Sequence, residues 1–157
     1  VASKFFNDDE YERLPQQLAD AVQGLSRQQL QRRPAPGKWS ILEIVSHIED
    51  HVIAQAFRIR KMVSEEAAQL PSVDQDAWVT HLNANERDPE EMLQTIRAVN
   101  RSNATLLSRL GPDDWETTAL NPKGETVRLT SVVQGFVAHI LHHVDQIQQL
   151  AKSSEVR

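Results

Sequence analysis

The stretch "KWSILEIVSHIEDHVIAQAFRIRKMVS", residues 38–64, decides the fold. Its start is written in side-chain chemistry. Ser40 can accept from the amide of Glu43 while the Glu43 carboxylate reaches back to the Ser40 amide, a capping box that satisfies two backbone donors otherwise without partners at a helix start. Trp39 before the cap and Ile44 after it are placed to form the accompanying hydrophobic staple. Ile41, Val45, Ile48, Val52, Ala56 and Ile59 then recur at helical spacing and carry one apolar stripe to about Ser64. A long helix with one apolar side requires other elements to cover it, which directs attention to the rest of the chain.

Three further long helices are expected. The first runs from about Asp9 to Gln23, with Leu14, Leu18, Val22 and Leu25 on one side, Gly24 as its stop, and Pro15 marking a late start or a kink. "SRQQLQRR" adds a short helical turn before "PAPGK", whose prolines and glycine cannot continue it. The third long helix opens at Asp88, with Pro89 at the first helical position, and runs to Gly111 on Met92, Ile96, Val99, Leu106 and Leu110. The fourth runs from Ser131 to about Ala151, capped by Thr130 or Ser131. Between them, Pro71 breaks the 65–87 connection, where "DQDAWVTHL" reads as a short helix. In "GPDDWETTALNPKGETVRLT", "NPKG" reads as a reversal and "ETVRLT" as a short strand. The architecture expected is all-α: one domain over 1–157, an antiparallel four-helix bundle with a long crossover between its second and third helices.

Composition narrows the partners. A chain of 157 residues, 39% hydrophobic, supports one core. A net charge of -5 argues against the broad basic surface that nucleic acid requires, leaving a small basic patch at Arg32 and Arg33. With no cysteine, the chain offers neither a disulfide nor a thiolate ligand nor a sulfur nucleophile. No apolar run approaches the ~20 residues that span a bilayer. The opening "VASKFFNDDE" lacks the core of a secretory signal, so a cytoplasmic location is the expectation, although a chain starting at Val1 stands apart from a native methionine start.

The chemistry sits in "AHILHHVDQI", residues 138–147. On the helical wheel Val132, Phe136, Ile140 and Ile147 set the apolar face; His139 and His143 fall to one side of it, and His142 swings to the polar side. Residues four apart are ~5–6 Å from one another at Cβ, a separation that lets two nitrogens converge on one ion at ~2.0–2.1 Å each. The alternative is two core histidines, each of which would need its own polar partner in an apolar bundle. A third ligand would come from His47 or His51, both at the edge of the second helix's stripe, or from His81 in the 65–87 connection, and the wheel does not choose among them. Glu43 is expected to serve its cap, with a catalytic base as the lesser alternative because capping commits the carboxylate. Asp145 and Gln146 are placed to orient an imidazole, with solvation the expected role of Asp145.

Together, "RPAPGKWSILEIVSHIED" at 33–50 and "LTSVVQGFVAHILHHVDQI" at 129–147 resemble the DinB/YfiT-like family of metalloenzymes, and the helix order between them matches over nearly the whole chain. In that family a tryptophan-serine helix start is followed by a histidine eight residues after the tryptophan, here His47. A pair four apart lies near the C-terminus, here His139 and His143 followed by "DQI". The resemblance therefore prefers His47 over His51 and implies a four-helix bundle, commonly a homodimer. It also implies one divalent metal ion, often nickel or zinc, held by His47, His139 and His143. It further implies a small-molecule substrate, in some members with a low-molecular-weight thiol for transfer or isomerisation, in others for hydrolysis.

Three neutral imidazoles leave an ion with net positive charge and an open position, the pattern of catalytic sites, where water or a thiol is activated. Against a metal-dependent transferase or hydrolase stands a non-catalytic bundle that binds a metal or ligand. Substrate contacts are expected from the 65–87 and 112–128 connections, and no general base stands out.

Overall fold

The computed structural model describes residues 6–155; the opening residues 1–5, on which the signal-segment reading partly rests, lie outside it. The first long helix, α1 (Asp8–Val22), is capped by Asn7, whose side chain accepts from the Glu10 amide at 3.1 Å. A short α2 (Arg27–Gln31) follows, with its own capping box between Ser26 and Gln29. Next comes α3 (Ile41–Ser64), started by the Ser40–Glu43 capping box. The 65–88 connection carries α4 (Gln75–His81), capped by Asp74, and a single 3-10 turn at Ala84–Glu86. α5 (Pro89–Leu107) begins with Asp88 capping and Pro89 inside the first turn. α6 (Pro112–Trp115), β1 (Thr118–Leu120) and β2 (Thr126–Arg128) lead into α7 (Leu129–Glu155).

The four long helices form the bundle, with α1 and α3 each packed against both α5 and α7. Their directions follow from particular contacts. His47 meets His139 while Gln55 reaches the Val132 carbonyl, so α3 and α7 are antiparallel. Tyr11 meets Asn100 while Val22 and Leu93 line one cavity, so α1 and α5 are antiparallel too. By contrast, Glu49 pairs with Arg87 just ahead of α5 and Arg60 donates to Asn103 at 3.0 Å, so α3 and α5 run the same way. α1 and α7 are also parallel: Tyr11 lies against Phe136, and Gln29 beyond α1 donates to Ser154. The expected antiparallel arrangement thus holds at two seams and gives way to parallel packing at the other two. The physical reason is the long crossover, which returns the chain to the end where α3 began.

Other boundaries shift for local reasons. α1 continues through Pro15 from Asp8, because the carbonyl that proline leaves without an intrahelical donor, that of Tyr11, accepts from the buried Asn100 side chain at 3.0 Å. The α1 stop is displaced to Val22, with Gly24 in the left-handed region at φ +78°. α5 ends at Leu107 rather than Gly111, and α6 takes up the next residues. α7 starts at Leu129 without the expected cap: the Thr130 hydroxyl donates instead to the Trp115 carbonyl at 2.8 Å, and the Leu129 amide to the Thr117 carbonyl.

The expected strand at "ETVRLT" is present as β2, paired antiparallel with β1, a strand within the turn-rich segment that precedes it. The Asn121 side chain accepts from the Lys123 and Glu125 amides, both at 2.9 Å, to hold the reversal. Leu120 bonds to the backbone of Ala68 and Leu70, so the hairpin and the start of the long crossover form one patch beside the bundle.

The core is continuous between the helices, with Tyr11, Leu42, Ile48, Met92, Leu107 and Ile140 fully buried. Phe6 stacks on Trp115, closing the end where α6 meets α7. No helix among the described residues is long and apolar enough to cross a membrane.

Candidate metal centre

Two rigid elements set the site. On α3, the capping box fixes the first turn, and Arg33 adds a two-pronged ion pair to the same carboxylate, Nε to Oε1 at 2.8 Å and Nη2 to Oε2 at 3.2 Å. Burial alone would raise the Glu43 carboxyl; the bonds from Arg33 and Ser40 outweigh it and hold the group below the usual carboxylate range. One turn further on lies His47, its ring 5.0 Å from that of Trp39. On the antiparallel α7, His139 and His143 project into the same seam.

Their Nε2 atoms converge. His47 Nε2 and His143 Nε2 each lie 3.1 Å from His139 Nε2, and one ligand atom from each ring falls within 4.8 Å of the others. Among the described residues no other three histidine, aspartate or glutamate side chains come together in this way. His143 Nδ1 donates to Gln146 Oε1 at 2.9 Å, a bond that leaves its Nε2 as the lone-pair nitrogen facing the cluster. Gln146 thus takes the orienting role, while Asp145 is exposed.

Burial lowers the basicity of the whole group. It brings His47 down to about 4, with His143 and His139 adding to the effect, and His139 to about 4, with His143 and His142 adding. His143 is also lowered by burial, partly opposed by its bond to Gln146. All three rings are therefore neutral near pH 7, the form in which imidazole ligates a cation.

The contacts are ones that protons satisfy poorly, since one shared N–H would have to serve two acceptors at once. An imidazole nitrogen has a single in-plane site, which either donates one bond or accepts one. His139 Nε2 has two neighbours at 3.1 Å, so a hydrogen bond to one leaves the other a bare nitrogen–nitrogen approach. A metal at ~2.0–2.1 Å from two nitrogens places them roughly 2.8–3.4 Å apart for angles between about 90° and 109°. The 3.1 Å separations fall within that interval. The three residues fit an ion.

The remaining histidines are placed elsewhere. His51 stacks on Phe136 at 5.5 Å between centroids and packs 4.4 Å from the His139 ring, outside the group of converging nitrogens. Burial, then the neighbouring His139 and His47, then Arg58 lower it to about 3. His81, at the end of α4, and His142 are exposed. Arg33, read from the sequence only as part of a basic patch, ties down Glu43, and Arg87, which the sequence does not single out, ties down Glu49; an arginine has no periodic signature that would reveal its partner.

The fold and the convergence of imidazoles from two antiparallel helices define a class, the helical bundles with a three-histidine cluster in one seam. The chain belongs to the DinB superfamily, whose sequence profile matches residues 10–147. It is 25% identical over 147 residues to OB0782 of Oceanobacillus iheyensis, covering 94% of this chain and 85% of that protein. It is 23% identical over 142 residues to YfiT of Bacillus subtilis, covering 90% and 81%. Both relatives carry the provisional name of metal-dependent hydrolase. The solved structure of YfiT, described as a four-helix bundle of unusual topology, superposes with a TM-score of 0.90 at 22% identity over 99% of this chain and 91% of YfiT. A mycothiol-dependent maleylpyruvate isomerase superposes with a TM-score of 0.67 at 12% identity, over 92% of this chain and 63% of the isomerase.

Proposed function

We propose that the protein is a divalent-metal-dependent enzyme acting on a small molecule, with His47, His139 and His143 as the ligands of one zinc or nickel ion. The observation that carries this reading is the pair of 3.1 Å approaches at His139 Nε2, which a shared cation satisfies better than one proton divided between two nitrogens. When bound, the ion supplies Lewis acidity that lowers the pKa of a water or thiol placed against it. The chain's part is to hold three neutral nitrogens in position, with Gln146 fixing the His143 tautomer and the α3 cap fixing the level of His47.

The reaction is either hydrolysis, supported by the names of the relatives, or transfer or isomerisation with a low-molecular-weight thiol, supported by the likeness to the isomerase. With no cysteine in the chain, any sulfur comes with the cosubstrate. A homodimer accompanies this reading on the family resemblance, and a single domain in a cytoplasmic setting on the chain's length and composition.

A second reading, a bundle in which the ion or a ligand serves structure alone, is favoured by the commitment of Glu43 to Arg33 and of Glu49 to Arg87, which removes two carboxylates of α3 from service as a base. Metal analysis of protein isolated without a histidine tag tests both. The proposal expects about one equivalent per chain, carried by three nitrogen ligands, and turnover in a screen of thiols with electrophiles or of esters and amides. Full metal with no turnover in any class, and a large drop in unfolding midpoint on chelation, would favour the structural ion.

A further inference from the structure

The seam between α3 and α7 does not close beyond the histidines. It widens into a cavity of about 380 Å³. His51, Gln55 and Arg58 line it from α3, and Gly135, Phe136 and His139 from α7. Leu70, Asn121 and Val127 face it from the crossover and the hairpin, the connections from which substrate contacts were expected. One end therefore carries a member of the histidine cluster. Arg58 is seven residues beyond His51 on α3, roughly 10 Å along the helix axis.

Two features of this cavity have no structural explanation. Arg58 is half-buried, and none of the ion pairs or side-chain hydrogen bonds among the described residues includes it. Arg33 and Arg87, by comparison, each grip a buried glutamate. Burial lowers the pKa of the Arg58 guanidinium, and its charge in turn helps keep His51 neutral. A cation left without an anion beside a cavity, in a chain of net charge -5, creates a local positive field.

The second feature is Gly135. It sits in the interior of a 27-residue helix, where glycine is less stable than alanine, yet a Cβ there would meet nothing within 4 Å. Close packing does not require the glycine. What the missing side chain provides is room in the cavity.

We propose that this cavity is the substrate pocket of the three-histidine site. It binds a small, mainly apolar molecule bearing one carboxylate, with Arg58 holding the carboxylate and the opposite, reacting end directed to His139. The proposal rests on the reading of His47, His139 and His143 as metal ligands. One guanidinium matches the two oxygens of one carboxylate in a planar, two-bond arrangement. A phosphate dianion would leave a charge uncompensated at Arg58. Leu70, Val127, Val132 and Phe136 supply apolar walls for the body of the ligand, and the volume lies at the small end of ligand sites.

The test is titration calorimetry of the metal-loaded full chain with benzoate, with benzyl alcohol and phenylphosphonate as comparators and metal content measured in every sample. Benzoate is expected to bind, and to bind roughly tenfold or more weakly to Arg58→Gln, the loss of a charge-assisted pair, with the metal retained. Gly135→Leu, which fills the cavity and leaves Arg58 in place, is expected to exclude benzoate as well. Unfolding midpoints confirm that both variants fold.

Unchanged benzoate affinity in Arg58→Gln, no binding to metal-loaded wild type, or tighter Arg58-dependent binding of phenylphosphonate would each overturn the proposal. If wild type retains no metal, the ligand assignment fails separately. Benzoate binding to the metal-free chain that still depends on Arg58 would then uphold the pocket without the ion.

Discussion

Two seams of this bundle bury polar side chains, and they do so to different ends. Between α1 and α5, Asn100 donates to the Tyr11 carbonyl that Pro15 leaves open, one donor meeting one acceptor. Between α3 and α7, three imidazole nitrogens of the same kind face one another, and His139 Nε2 has two neighbours where it can bond to one. The first contact joins a donor to an acceptor, although Asn100 Oδ1 and the Tyr11 hydroxyl stay buried beside it without partners. In the second, like nitrogens face like, and that difference separates a polar contact that pairs donor with acceptor from a cluster we propose to hold a cation.

The comparison can be broken most severely at His139. His139→Ala removes the ring common to both short approaches and should take metal content from about one equivalent to near none, with little change in helix content by circular dichroism. His47→Ala and His143→Ala should act in the same direction. Full occupancy in all three would show that the ion, if present, sits elsewhere.

At the other seam the expected outcome is reversed. Asn100→Ala strands the Tyr11 carbonyl and should cost about 1–3 kcal/mol in chemical denaturation, with metal content unaltered. Adding Pro15→Ala returns an amide to that carbonyl, so the double variant should lose less than the two single losses together. Additive losses would mean that the Asn100 bond does not compensate the proline.

Asp50 sharpens the contrast from the same helix as His47. Burial, then the neighbouring Glu49, raise its carboxyl to about 6 against the pull of Arg87, and its Oδ2 is buried without a partner. Its folded pKa lies above the unfolded value, so the stabilisation is present at low pH and lost as pH rises through about 6. Asp50→Asn should therefore be more stable than wild type at pH 7, by about 1–2 kcal/mol, with the advantage shrinking towards about pH 4. Equal pH profiles for the two proteins would contradict the assignment.

The smallest effect is expected at the α3 cap. Ser40→Ala should lower stability by about 1 kcal/mol while metal stoichiometry is kept, since the cap sets the level of His47 without touching the cluster. Guanidine titration alongside metal analysis checks both halves of that statement.

The long helices were legible because apolar periodicity and caps are local: Ser40 and Glu43, or Asp88 and Pro89, carry their meaning within one turn. Helix direction was not local. It depends on where the 65–88 crossover returns the chain, which is why parallel packing of α3 with α5 escaped a reading based on stripes.

The same limit applies to the site. Four-residue spacing paired His139 with His143, but the wheel, with His51 slightly nearer the stripe's centre, gave no reason to choose His47, and only the family resemblance preferred it. In three dimensions His51 stacks on Phe136 and lines the cavity, while His47 turns its Nε2 to His139. Arg58 and Gly135 carried no signal, because an arginine without a partner and a glycine facing open space are recognised only when the surroundings are known.

X-ray absorption at the zinc edge, on protein loaded with one equivalent of zinc, is the most direct test of the central claim. The account predicts three imidazole nitrogens at about 2.0–2.1 Å plus at least one exchangeable ligand such as water. A first shell without imidazole, or one unchanged when His47, His139 and His143 are replaced together, would contradict it.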